Sequence, residues 1–238
     1  MIPVARPEHD LQIVDSQVHI WGANTPARPW PHNVAPHRPV PFSADAALHE
    51  MRTAASSVRS SCRRGGKASA MISHWKRRDH IPRSSPSWAS SMRKPPGRAT
   101  SVNPEELNVV DDIAERHPGL RIAIDHLARR FRATDEAAFP NMDGLVALAR
   151  QRNVAVKASG MPAYTTDVYP YRRVHAYLRS TYDAFGARRM FWGSDLTKLP
   201  CSYQQAVTMF TEEIPWLVGD DLRWVTGRAL CEWLGWKV

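Results

Sequence analysis

Residues that could carry acid–base chemistry or hold a metal stand at regular places in this chain. Near its start, the stretch LQIVDSQVHIWG at residues 11–22 has Asp15, Gln17 and His19 at every second position. Successive side chains of a β-strand point to opposite faces, so these three polar residues share one face. Buried polar groups are costly unless each has a partner or a function. The pattern therefore predicts a functional site along this face.

Three more polar residues stand at or near the carboxyl ends of predicted strands farther along the chain. His126 ends IAIDH, Lys157 lies within VAVKAS, and Asp195 ends MFWGSD. In a (β/α)8 barrel the active site is built from the carboxyl ends of several strands. We therefore expect the polar face of the first strand to line the barrel interior and to meet these residues at the mouth.

The elements that must position these residues alternate regularly from residue 104 onwards. Apolar spacing, caps and stop signals predict helices over 104–119, 141–153, 171–186, 203–213 and 220–236, and strands over 120–127, 154–159 and 189–195. This alternation predicts the α/β class and a (β/α)8 TIM barrel in a single domain over residues 1–238. Only four strands can be placed outside residues 52–101. The barrel is therefore expected to be incomplete, with its second to fifth strands garbled or missing.

The positive charge of the chain is concentrated in one internal segment. The formal net charge is +9, yet residues 52–101 hold 12 Lys or Arg against one acid, Asp79. The rest of the chain is slightly acidic. The segment is rich in serine and shows neither helical nor strand periodicity, so we expect residues 52–101 to be a disordered, low-complexity, basic insert.

Two explanations of this basic segment stay open at the sequence level. A basic segment can bind nucleic acid through phosphate contacts, although such segments are more typical of termini and linkers. Alternatively, residues 52–101 are the product of a shifted reading frame. In the shifted frame the codons can encode a β-α-β unit, including a strand RAVVVPP and a strand VFAVMG.

Composition favours a cytoplasmic protein without membrane segments. The three cysteines, Cys62, Cys201 and Cys231, are few, odd in number and far apart, which is typical of reduced thiols. No apolar run is long enough to cross a bilayer, and MIPVARPEHD lacks the apolar core of a signal peptide.

The motifs together resemble a known family. IVDSQVHIW, IDHLA, NVAVKAS, RRMFWGSDLTKLP and the terminal GRALCEWLGW are similar, in order and spacing, to the amidohydrolase-related (amidohydrolase 2) family of TIM-barrel hydrolases. This family includes pyrone dicarboxylate lactonase and fuconolactonase-like enzymes. The resemblance is weak over residues 11–50 and good over 104–238.

The resemblance implies a site and a reaction. His19, His126 and Asp195 match the family's second histidine, later histidine and aspartate, which hold the metal, whereas Gln17 stands where the family has its first histidine. An amide is a weaker zinc ligand than imidazole. Two alternatives therefore stay open: one divalent metal such as zinc bound by these three residues, or hydrolysis without a metal, as in some members of the resembling group.

The implied reaction is attack of water on the carbonyl of a small, carboxylate-bearing lactone, ester or amide. Asp195 would act as general base, while His19 and His126 polarise the carbonyl. The remaining candidates are assigned to supporting roles. Asp15 would orient His19, and the substrate would be bound by Gln17, Lys157, Arg172 and Arg173.

Less specific interpretations of the same residues stay open. His126 could be a core histidine held by Asp125, Asp195 a helix cap, Gln17 a structural hydrogen bonder, and Lys157 a side chain that reaches solvent. The tyrosines that follow the third placed strand, Tyr164, Tyr169 and Tyr171, are interpreted as loop-packing residues. An inactive, truncated member of the family is the alternative to an active hydrolase.

Overall fold

A computed structural model describes residues 11–27, 29, 38, 40–61, 68–72 and 98–236. All strand pairing within these ranges is parallel, apart from an isolated antiparallel bridge between Trp21 and Phe42. This is the pairing that alternating strands and helices produce. The chain therefore adopts an α/β fold with a partial parallel sheet.

The strands form two sheets. In the first, β1 (Ile13–Val18) pairs with β2 (Ala68–Ile72). In the second, the spatial order follows the chain: β3 (Arg98–Thr100), β4 (Ile122–Ile124), β5 (Val154–Ser159) and β6 (Met190–Gly193).

A close approach of two backbones joins the sheets. The Asp195 N–H donates to the Gln17 carbonyl over 2.8 Å. A Cβ atom on Gly193 would lie 2.5 Å from Ser16 Oγ, so only glycine lets β6 come this near to β1. The last strand thus lies beside the first, which brings the carboxyl ends of β1 and β6 together.

Helices cover the outside of the strands. They are α1 (Ala44–Ser61), α2 (Leu107–Arg116), α3 (Met142–Ala147), α4 (His175–Phe185), α5 (Tyr203–Thr211), α6 (Gly219–Arg223) and α7 (Ala229–Leu234), with one π-helical turn at Trp224–Arg228 between the last two. Side-chain caps begin three of them, α1, α3 and α5. Ser202 begins α5 by accepting from the Gln205 N–H, and the Gln205 side chain accepts in return from the Ser202 N–H.

The four strands predicted from sequence are confirmed as β1, β4, β5 and β6, each within a residue or a few of the expected bounds. Every residue of β1 and β5 is buried on both faces, as in parallel sheets covered by helices. The polar face of β1 is therefore as buried as its apolar face. Among the described residues, no helix is long and apolar enough to cross a membrane.

The expectation that residues 52–101 lack regular structure is wrong for part of that segment. Residues 52–61 continue helix α1, and residues 68–72 and 98–100 form β2 and β3. β2 is added beside β1 and β3 beside β4, so backbone pairing supplies two strands where side-chain periodicity predicted none. The remainder of the segment lies outside the described residues. The shifted-frame and nucleic-acid hypotheses stay predictions, which the nucleotides encoding residues 45–110 and salt-dependent binding would test.

Candidate active site

The carboxyl ends of β1, β4 and β6 bring three of the predicted residues together. Asp195 Oδ1 lies 3.2 Å from His19 Nε2, and Asp195 Oδ2 lies 3.7 Å from His126 Nε2. Asp195 is fully buried, His126 is nearly so, and His19 is partly exposed. One carboxylate is therefore flanked by two imidazoles, with the His19 side open to solvent.

Positive charge around Asp195 keeps its carboxylate ionised. Burial on its own opposes ionisation, but the hydrogen bond from His19 and the charges of His126 and Lys198 outweigh it and hold the pKa of Asp195 below its ordinary value. Lys198 Nζ lies 3.5 Å from Asp195 Oδ2. At neutral pH this group is an anion that can accept a proton.

The turn after β4 aims His126 at Asp195. His126, Leu127 and Ala128 all have positive φ angles, of 54°, 55° and 52°. Such runs are disfavoured for residues with a Cβ and persist where the surroundings hold them.

His126 Nδ1 lies 2.9 Å from Ser159 Oγ and 3.2 Å from the Ser159 carbonyl. These contacts hold the ring so that its other nitrogen, Nε2, faces Asp195. Burial lowers the pKa of His126, although Asp195 opposes this shift.

A buried chain of contacts fixes His19 from the other side. Lys157 Nζ lies 2.9 Å from Asp125 Oδ1 and donates to Gln17 Oε1 over 2.8 Å. Lysine can only donate, so this bond settles which end of the Gln17 amide is oxygen. The amide nitrogen then lies 3.1 Å from His19 Nε2, the ring nitrogen that also faces Asp195. Lys157 thus sets the orientation of Gln17, and Gln17 in turn holds the His19 ring. With 1% of its side chain exposed, Lys157 does not reach solvent.

Asp15 makes no hydrogen bond to His19 among the described contacts, so its predicted role in orienting that ring gains no direct support. Its Oδ1 accepts from the Gln17 and Ser194 N–H groups, each at 2.9 Å, and its Oδ2 accepts from Ser194 Oγ at 2.5 Å. These bonds hold the turn that carries Asp195. Asp15 has only neutral donors around it, and burial raises its pKa to about 6.

Arg172 and Arg173 are not brought into this cluster. Both side chains are largely exposed; Arg172 lies 3.9 Å from Glu213, and Arg173 lies 3.6 Å from Asp135. They sit at the turn before α4, beyond the loop that follows β5. Their predicted role in binding the substrate gains no support from these contacts.

Sequence reasoning missed two residues that hold the predicted ones in place, Ser159 and Ser194, and considered Asp125 only as a partner of His126. Ser159 ends β5, while Asp125 and Ser194 directly follow β4 and β6. The signal that could have found the two serines is position alone, since each stands within two residues of a predicted residue at a strand end. Two further residues beside the cluster, Arg129 and Tyr164, carried no such signal.

The described side chains do not form a metal site. Among them, no group of three or more His, Cys, Asp or Glu residues is arranged to hold a metal ion. The position that the family fills with its first histidine holds the Gln17 amide, whose oxygen is occupied by the Lys157 ammonium. A fixed ammonium beside the site disfavours a second cation there.

The family model for amidohydrolases matches residues 80–226, well over half of the chain. The chain belongs to the amidohydrolase family. The L-fucono-1,5-lactonase of Burkholderia ambifaria is 37% identical to it over 97 residues, which are 40% of this chain and 32% of the lactonase. The chain thus matches about a third of the length of that curated relative.

Solved structures show the same fold at low sequence identity. An amidohydrolase from Burkholderia multivorans with bound HEPES has a TM-score of 0.67 at 17% identity, over 95% of this chain and 100% of that one. A second crystal form of that protein, with bound zinc, has a TM-score of 0.64 at 16% identity over the same shares. A candidate 2-pyrone-4,6-dicarboxylic acid hydrolase from Pseudomonas putida has a TM-score of 0.53 at 18% identity, over 94% of this chain and 99% of that one.

Proposed function

We propose that this amidohydrolase hydrolyses a small lactone through attack of water on the ring carbonyl, with Asp195 as general base. The observation that carries the proposal is the buried, ionised Asp195 carboxylate between the ring nitrogens of His19 and His126. The similarity to a lactonase supports the choice of substrate class.

The reaction needs one base and one group that polarises the carbonyl. The water oxygen adds to the carbonyl carbon while Asp195 accepts the water proton, and the carbonyl oxygen becomes an oxyanion. The ring C–O bond then breaks, and the proton on Asp195 passes to the leaving oxygen. We assign His19 and His126 to orienting the water and polarising the carbonyl, because both rings lie directly beside the carboxylate.

The electrostatics favour a lactone or ester over an amide. The cations that keep Asp195 ionised also make it a weaker base, since they lower its pKa. A weak base suffices for an activated carbonyl whose leaving group is an alcohol. An amide needs stronger protonation of its leaving nitrogen, and no described group beside Asp195 is an obvious acid for it.

The test is hydrolysis of L-fucono-1,5-lactone by the full chain and by Asp195→Asn. The expected result is a loss of about 10²- to 10⁴-fold in kcat/KM, the range for removal of a general base. Asp183→Asn is the matched control, because Asp183 is an exposed aspartate of α4 paired with Arg179. Equal rates for Asp195→Asn and the parent would refute the role of Asp195. A folded parent that hydrolyses neither this lactone nor 2-pyrone-4,6-dicarboxylate would favour the inactive family member instead.

A chelation experiment separates the two cofactor alternatives. We propose that the chain works without a metal, because Lys157 and Gln17 stand where a further ligand would be needed. Treatment with EDTA followed by gel filtration should leave the rate unchanged. A rate that falls and returns with added zinc would show that this chain uses the ion.

A further inference from the structure

Among the described residues, one cation beside the active site has no carboxylate partner. It is Arg129, which stands three residues after His126 and is partly buried, and its Nη1 donates to the Arg130 carbonyl at 3.2 Å. Its Nε is buried without a hydrogen-bond partner among the described residues. By contrast, the predicted substrate-binding cations Lys157, Arg172 and Arg173 each lie within 4.0 Å of an acid.

The Arg129 guanidinium lies against Tyr164, and Tyr164 lies against the catalytic cluster. The Arg129 Cζ is 4.4 Å from the centre of the Tyr164 ring, which in turn meets the His126 ring edge-on at 5.7 Å. Tyr164, interpreted from the sequence as a loop-packing residue, therefore lies beside the catalytic cluster. It links the free cation to His126.

The Tyr164 hydroxyl is poised to donate. It is buried, and among the described residues it has no acceptor for its proton. Burial and the nearby Asp195 charge raise the pKa of Tyr164, so the phenol keeps its proton throughout the physiological range. A buried donor without an acceptor costs free energy, which a ligand oxygen would recover.

Gly160 lies between the Tyr164 hydroxyl and the Asp195 carboxylate. The position of a Cβ atom on Gly160 is 3.1 Å from Tyr164 Oη and 3.4 Å from Asp195 Oδ2. A side chain there would fill the gap between the phenol and the carboxylate, and the φ of +67° also requires glycine. Tyr164 and Asp195 therefore border one small space.

We propose that Arg129 and Tyr164 form a subsite for a carboxylate group of the substrate, next to the carbonyl that Asp195 serves. Arg129 supplies the charge and a planar pair of donors, and Tyr164 supplies a further donor. This inference rests on the proposed lactone hydrolysis and deepens it by selecting acidic lactones over neutral ones. It moves the anion-binding role from Arg172 and Arg173 to the residue that follows the β4 turn.

Binding of an unreactive ligand tests the subsite without relying on catalysis. The probe is pyridine-2,4-dicarboxylate, a stable six-membered ring with the carboxylate spacing of a pyrone dicarboxylate. Pyridine-2,4-dicarboxamide is its uncharged counterpart. Isothermal titration calorimetry would compare the full chain with Arg129→Gln, Tyr164→Phe and Arg130→Gln. Arg130 is the matched control because it is exposed and already paired with Glu105.

We expect Arg129→Gln to weaken dicarboxylate binding about 10- to 100-fold, as loss of charge-assisted hydrogen bonds does, and to leave dicarboxamide binding unchanged. Tyr164→Phe should weaken it about 3- to 10-fold, and Arg130→Gln should not change it. Equal effects of Arg129→Gln and Arg130→Gln, or no preference of the parent for the charged probe, would overturn the subsite. Melting temperatures within a few degrees of the parent show that each variant is folded.

Kinetics with two lactones separate this inference from the proposed function. Arg129→Gln should lower kcat/KM for 2-pyrone-4,6-dicarboxylate far more than for neutral L-fucono-1,5-lactone. Asp195→Asn should lower both. If Asp195→Asn abolishes both reactions while Arg129→Gln affects both substrates equally, the role of Asp195 as general base is supported and the carboxylate subsite is refuted. If Asp195→Asn has no effect while the calorimetric contrast holds, the subsite stands and the mechanism fails.

Discussion

Two buried aspartates lie on either side of the junction between β1 and β6, and their surroundings differ in one respect. Asp15 and Asp195 are both fully buried. Asp15 accepts from neutral donors only, and burial raises its pKa to about 6. Asp195 is surrounded by His19, His126 and Lys198, and these hold its pKa below the ordinary value despite the same burial. The sign of the nearby charge, rather than depth, decides which carboxylate has the lower pKa.

This difference assigns the two residues different tasks. Asp15 accepts from the Gln17 and Ser194 N–H groups and from the Ser194 hydroxyl, so it ties β1 to the turn that follows β6. In the part of the chain that the structure describes, the Asp195 carboxylate lies near groups that can release it, two imidazoles and an exposed lysine. A carboxylate that must act on water needs the second arrangement.

The largest expected effect is on catalytic activity, when the charge of Asp195 or of Asp15 is removed. Asp195→Asn should reduce kcat/KM for a hydrolysed lactone by about 10²- to 10⁴-fold, because the base is lost. Asp15→Asn should reduce it less than about 10-fold, because an amide oxygen can still accept from both backbone N–H groups. Steady-state rates on both variants measure the contrast. A larger loss for Asp15→Asn would reverse the assignment.

Asp125, a partly buried carboxylate, can be left without a nearby cation, as Asp15 is, by removing Lys157. Lys157→Met leaves Asp125 without the ammonium that lies 2.9 Å away and frees the Gln17 amide to rotate. Breaking a buried ion pair from one side costs roughly 3–5 kcal/mol of unfolding free energy. Urea unfolding of this variant measures the cost.

The double variant Lys157→Met, Asp125→Asn provides the control for that measurement. It removes both charges, so it should recover part of the stability lost by Lys157→Met alone. If the single and double variants unfold at the same urea concentration, the Lys157–Asp125 contact is not an energetically coupled pair.

The sequence predicts the position of a site residue where the strand that carries it has a clear local pattern. Period-two polarity in β1 and the polar ends of β4 and β6 place His19, His126 and Asp195 correctly, because strand ends follow from local pattern. β2 and β3 were missed because their residues pair through the backbone and carry little apolar alternation. Pairing of that kind depends on what lies beside the strand rather than on the strand's own sequence.

The supporting residues were missed for a different reason. The contact of Arg129 with Tyr164 depends on three successive left-handed residues after β4 and on the glycine turn after β5. No local pattern predicts such a run in residues that carry a Cβ. Conversely, Arg172 and Arg173 looked suitable by charge alone, but the turn before α4 directs them to surface acids.

The pH dependence of stability should also separate the two aspartates. The folded pKa of Asp15, about 6, lies above its ordinary value of 3.8, so the folded state binds this proton more tightly than the unfolded state. Its contribution is therefore present below about pH 4 and is lost as pH rises through 6. The loss amounts to about 3 kcal/mol.

Asp15→Asn removes that dependence and isolates it from the other titrating groups. Between pH 4 and pH 7, the unfolding free energy of the variant minus that of the parent should increase by about 3 kcal/mol. Urea titrations at four pH values measure the difference. A difference that stays constant over this range would show that Asp15 is ionised in the folded chain throughout, like Asp195.

The smallest expected effect concerns the space beside Asp195 and uses two matched glycines. Gly160 and Gly235 both have left-handed backbones, with φ of 67° and 69°, but a Cβ on Gly235 meets nothing within 4 Å. Alanine at either position should cost about 1–2 kcal/mol of stability through backbone strain. Only Gly160→Ala brings a methyl group to 3.1 Å from the Tyr164 hydroxyl and 3.4 Å from Asp195 Oδ2, so only this variant should also lose lactone hydrolysis. Melting temperatures and kcat/KM on the pair separate strain from occlusion. Backbone strain is common to both variants. Equal activities would therefore mean that substrate and water approach Asp195 from another side. The reaction would then not occur in the space beside Gly160.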